Sequence, residues 1–180
     1  DKYPDVSLSL IDEYFETQDE FDVPNAYCVR AQAYKALGRQ RDAILAYRQA
    51  LEWEVSHPRH ISTARHDLPR LVVDGRLASE YDYALEILTS RYTASDHQFP
   101  STRYHWNGCC ALITFELGQR EEAREFAERA MRAAAETESP FRYHRNVGVV
   151  RDTSDEFGRR VKRIAQPSTV RSLFRLLGKR

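Results

Sequence analysis

Two sets of side chains in this sequence have the types and spacing for chemistry. His105 and Cys109 stand four residues apart, which on a helix puts both on one face. They could share a metal ion, or act as a base beside a nucleophilic thiol. A metal site needs a third ligand, and a thiol nucleophile needs an orienting carboxylate and an oxyanion donor. No spacing supplies any of these, so Cys109 and Cys110 read as small core residues. His57 and His60 flank Pro58 in a loop, where histidines are ordinarily just solvated. The chain has no glycine-rich phosphate loop, no HExxH and no GxSxG. No catalytic residue, metal or cofactor is expected, and the chain does not read as an enzyme.

The elements that carry these residues are helical. The 180 residues are 42% hydrophobic and 30% charged, with only seven Gly and seven Pro, too few for the frequent turns of a β-sandwich. No apolar run approaches the roughly 18 residues of a membrane span. Cys28, Cys109 and Cys110 are an odd, sparse set that implies no disulfide framework and suits a reducing, cytoplasmic setting. Charge is unevenly spread: residues 1–24 hold eight acidic groups against Lys2, and residues 141–180 hold eleven Lys/Arg against three acids. The two ends could meet across a homodimer.

A repeat organises the chain. Ala33-Tyr-Lys-Ala-Leu-Gly38-Arg-Gln-Arg-Asp-Ala43 and Ile113-Thr-Phe-Glu-Leu-Gly118-Gln-Arg-Glu-Glu-Ala123 share a Leu-Gly step and an alanine five residues after it. A further alanine follows seven on, at Ala50 and Ala130, and another precedes by twelve, at Ala31 and Ala111. The pattern fits two antiparallel helices, with Gly38 and Gly118 just past the end of the first and alanines where the two approach closely. Tyr34, Tyr47 and Leu51 would fill the seam of the first copy. The copies lie 80 residues apart, room for one more between them. Tyr81-Asp-Tyr-Ala84-Leu-Glu-Ile-Leu88 carries its second-helix pattern, with Leu71, Val72 and Gly75 at first-helix packing positions. Pro69 is expected in the first turn of that helix, with Asp67 near its cap.

These segments resemble the tetratricopeptide repeat family, whose unit is a 34-residue helix–turn–helix. The resemblance is good over residues 24–57 and 104–137 and degenerate over 65–98. It implies an all-α fold of stacked antiparallel hairpins, a right-handed solenoid with terminal capping helices. Residues 1–140 would form the repeat domain with an N-terminal helix, and 141–180 a basic capping segment. The family's aromatic in the second helix is Tyr47 in the first copy and is displaced to Phe126 in the third.

The resemblance also implies protein–protein recognition, as an adaptor that holds a partner in a concave groove lined by the first helices. By register its exposed positions are Asn25, Gln32, Lys35, Arg70, Arg76, His105, Leu112 and Phe115. Cations and amides beside an aromatic suit an acidic peptide or protein. The alternative is nucleic acid, bound through Arg142, Arg145, Arg159, Arg160, Lys162 and Arg163 with Phe141 and Tyr143.

The ends read as caps. Residues 5–19 form a helix with Val6, Leu10, Ile11 and Phe15 on one face. Thr153-Ser-Asp-Glu156 is a capping box opening a helix with Phe157, Val161 and Ile164. A last amphipathic piece carries Val170, Leu173, Phe174 and Leu177.

Overall fold

A computed structural model describes residues 3–17, 21–90 and 98–166. All regular elements among them are helical, in agreement with the repeat reading. In order the α-helices are α1 (Pro4–Glu16), α2 (Val23–Ala36), α3 (Gln40–Ser56), α4 (Ala64–Asp74), α5 (Tyr81–Ser90), α6 (Pro100–Glu116), α7 (Arg120–Ala134) and α8 (Glu156–Ala165), with a short 3-10 turn, Ala78–Glu80, before α5. The chain forms two compact units, Asp1–Ala78 and Ser79–Arg180. The boundary falls between α4 and α5, the two helices of the degenerate repeat.

The first unit is built on the α2/α3 hairpin. Gly38 has φ 73° and takes the left-handed position past the end of α2, which costs glycine nothing. There the Arg39 N–H reaches back to the Tyr34 carbonyl at 2.9 Å, closing the helix end. Ala31 and Ala43 are fully buried, so the two backbones approach closely, with Tyr47 and Leu51 filling the space beyond. At the far end of α3, the buried Glu54 carboxylate accepts both the backbone N–H and the hydroxyl of Ser62, at 2.7 and 2.6 Å. These bonds fix the start of α4, which packs on α3 and touches α2.

Three expectations are corrected in this unit. Pro69 is the sixth residue of α4, well inside it. The helix starts earlier than the proline suggests, because Thr63 accepts the His66 and Asp67 N–H groups through its carbonyl and its hydroxyl donates to Asp67. Gly75 packs closely against Leu77 and Gln40 but lies at the end of α4 with ordinary helical dihedrals, and Arg76, not a glycine, takes the left-handed position at φ 51°. The Leu77 N–H then bonds the Val72 carbonyl at 3.0 Å, as Arg39 does to Tyr34. At the N-terminus, α1 leaves Val6 and Leu10 exposed. Ile11 and Phe15 of the expected face are half-buried, and α1 docks through Phe15, whose ring lies 4.7 Å from that of Tyr27 and beneath the Arg30 guanidinium, while Arg30 pairs with Asp12.

The second unit repeats the plan. Gly118 has φ 84°, Gln119 N–H bonds the Thr114 carbonyl at 2.9 Å, and Ala111 and Ala123 are fully buried. α5 buries Tyr81, Ala84, Ile87 and Leu88, and it packs on α6. α8 packs on both α6 and α7, its Phe157 ring lying over Gly108, where a β-carbon would collide with it. Its cap is Asp155, which accepts the Gly158 N–H at 2.8 Å, rather than Thr153. Phe157 and Val161 are buried and Ile164 half-buried. Val170, Leu173, Phe174 and Leu177 lie outside the described residues.

Candidate recognition site

In the first unit α2 presents Gln32 and Lys35, one helical turn apart, and α4 presents Asp67 and Arg70 with the same spacing. Because α4 docks beside α2, the four side chains line one open pocket of about 450 Å³, with Ala36 and Tyr47 completing it. The Tyr47 ring is almost wholly buried, and burial pushes its phenol pKa up, so the hydroxyl stays protonated. Arg70 is held by Asp74 through Nε at 2.8 and 3.0 Å, and Asp67 accepts the Thr63 hydroxyl at 2.6 Å. Gln32 and Lys35 are exposed. The pocket is therefore lined by two cations and an amide against one carboxylate that already accepts a hydrogen bond, with Arg70 paired to Asp74 as well.

Three of the eight residues expected from sequence, Gln32, Lys35 and Arg70, are brought together here. Asn25 lies elsewhere on α2, donating to Asp22 at 2.9 Å, and Arg76 belongs to the turn after α4. Tyr47 and Asp67 were missed as lining residues. The equal spacing of Gln32/Lys35 and Asp67/Arg70 is the signal that could have found a second charged wall; nothing in the sequence showed that Tyr47 would line the pocket.

In the second unit the expected residues do not gather. Leu112 is only 3% exposed, so it is core and not a groove position. His105 is exposed, its ring 5.6 Å from that of Phe157. Phe115 lies under the Arg120 guanidinium, 3.8 Å from the ring centroid, and lines a cleft of about 660 Å³. Glu125, Glu128, Arg163 and Ile164 line it too, which places it between α7 and α8. α8 packs on both helices of the hairpin here.

The remaining candidates can be placed as well. Cys109 is 2% exposed while His105 is exposed, so the pair forms no shared solvent-facing site. Burial pushes the Cys110 thiol up to about 12 and raises Cys28, beside which lie the Ser62 and Thr63 hydroxyls and the Ala64 N–H. Neither is a thiolate near neutral pH. All three cysteines are free. Among the described residues, no three of His, Cys, Asp and Glu gather as a metal site. His57 caps α3 and stacks on Trp53, centroids 4.2 Å apart. No helix of the described residues is long and apolar enough to cross a membrane.

Comparison with known proteins adds one finding. Residues 24–54, the α2/α3 hairpin, match the family model of the tetratricopeptide repeat. No curated protein and no solved structure matches the chain.

Proposed function

We propose that the chain is a protein-recognition module that holds an acidic segment of a partner protein in the pocket between α2 and α4. Tetratricopeptide repeats serve in general as protein–protein interaction scaffolds, and the matched hairpin supplies one wall of this pocket. The observation that carries the reading is the convergence of Lys35, Arg70 and Gln32, from two helices, on one open surface. A partner carboxylate between the two cations would gain charge-assisted hydrogen bonds, and the protonated Tyr47 hydroxyl can add a donor. The reading is one of recognition without catalysis and without a cofactor. Three free, buried thiols suit a reducing compartment such as the cytoplasm.

The test is affinity capture from the source lysate with the wild-type chain and the Lys35→Glu/Arg70→Glu variant, each checked by thermal melting. A single partner retained by the wild type and lost from an equally stable variant is the expected result. Equal retention by both would remove the pocket as the site.

A further inference from the structure

The stretch between α7 and α8 is long, and part of it is rigidly held. The His144 N–H bonds the Phe141 carbonyl at 3.1 Å and the Val147 N–H bonds the His144 carbonyl at 2.9 Å, giving two successive turns. At one end Phe141 packs edge-on against Phe99, centroids 5.1 Å apart. At the other, Gly148 has φ 75° and lies so close to the Phe99 ring that no β-carbon fits. Its carbonyl accepts the Ser101 N–H at 2.7 Å. Both ends of the loop are thus fastened to the start of α6.

Between these anchors the side chains face water. Tyr143 is 83% exposed, the Arg142 guanidinium stands 5.6 Å from its ring centroid, and His144 and Arg145 are exposed. Residues 141–151 contain three arginines and no carboxylate. The first turn of α6, beneath the loop, has no acidic residue, so its positive helix end is not neutralised locally. Of the nearest acids in sequence, Glu136 is paired with Arg103, Glu138 is exposed, and Asp152 accepts the N–H and hydroxyl of Ser154.

We infer that loop 141–147 is a binding surface for single-stranded nucleic acid, with a base stacked on Tyr143 and phosphates held by Arg142 and Arg145. An open aromatic face beside cations on a fixed turn is what an unpaired base and its phosphates require. An acidic peptide would satisfy the arginines and leave the ring bare. Phe141 and Val147 are also about half exposed, at 48% and 46%, but Phe141 packs edge-on against Phe99, and only Tyr143 stands clear beside the arginines, which favours a stacked base over a membrane surface. The inference is independent of the pocket between α2 and α4.

The experiment is fluorescence anisotropy of the full chain with labelled oligouridylate and oligodeoxythymidylate of about 10 nucleotides, at low and high salt. Binding to either, weakened by salt, is expected, and the tighter of the two names the natural strand. Tyr143→Ala should weaken it about tenfold or more, Tyr143→Phe should preserve it, and Arg142→Glu/Arg145→Glu should abolish it. Melting temperatures should not move, since these side chains are exposed. The Lys35→Glu/Arg70→Glu variant should bind the oligonucleotides like wild type even where partner capture fails. No binding, or full affinity in Tyr143→Ala, overturns the inference. So would tighter, Tyr143-dependent binding to polyglutamate or to anionic vesicles, which would give the loop to a protein or a membrane instead.

Discussion

The α2/α3 and α6/α7 hairpins are the same device with its bulk moved from one helix to the other. Both turn on Leu-Gly, both bury alanines at the crossing, and both lay a cation from the following helix start on an aromatic, Arg39 on Tyr34 and Arg120 on Phe115. In the first, α3 carries the bulk, with Ile44, Tyr47 and Leu51 buried. In the second, the buried residues of α7 are four alanines, and α6 supplies Tyr104, Trp106, Leu112 and Ile113. The turn and the crossing fix the hairpin; the filling is interchangeable provided total volume is kept. The covering helix makes the difference at the surface. α4 leaves Gln32 and Lys35 open beside Arg70, whereas α8 sets Phe157 on Gly108 and lies along the cleft that holds Phe115.

The comparison can be broken most severely at the crossings. Ala43→Arg and Ala123→Arg each force a long charged chain into a seam with no space, at more than about 4 kcal/mol. Both should abolish cooperative melting followed by circular dichroism. A folded Ala123→Arg protein would refute the pairing of α6 with α7.

A smaller effect tests the cover of the second hairpin. Phe157→Ala empties its contact with Gly108 and Tyr104 and should lower stability by about 3–5 kcal/mol, read by urea denaturation. Gly108→Ala, which overfills the same contact, should cost about 1–3 kcal/mol.

The turns sharpen the likeness. Gly38→Ala and Gly118→Ala should each cost about 1–2 kcal/mol, by equal amounts, because each φ is left-handed and neither added β-carbon meets a neighbour. Arg76→Gly should act in the opposite direction by a few tenths of a kcal/mol, strain relief outweighing the added backbone entropy. Unequal costs for the two glycines would show that the turns are not equivalent.

The smallest effect is alkaline. In the fold, burial holds Cys110 protonated to about 12 and raises Cys28, while an unfolded thiol ionises near 9.0. The stability this provides is complete below the unfolded value and is lost as pH rises toward the folded one. Urea melts should therefore show stability falling above about pH 9. Cys110→Ala should flatten that slope more than Cys28→Ala, because hydrogen bonds at Cys28 offset part of its shift.

Much of this was legible in the residues. Leu-Gly followed by alanine at a fixed offset specifies a left-handed turn and a close crossing, both local demands of backbone sterics. The start of α4 was not legible: Pro69 favours the first turn of a helix, and a buried carboxylate eight residues before Ser62 sets the start earlier. Val6 and Leu10 look like a core stripe by spacing alone, yet Phe15 and the Arg30–Asp12 pair set the docking angle of α1.

By itself, then, the sequence determined the helices, the two hairpins and the residues of their crossings, since these depend on periodicity and on neighbours within one turn. Only the tertiary structure decided which cations share a pocket, that Leu112 is core, and that a loop lifts Tyr143 clear of the surface. Those outcomes depend on how a third helix or a distant ring packs, and packing joins residues that no short-range pattern relates.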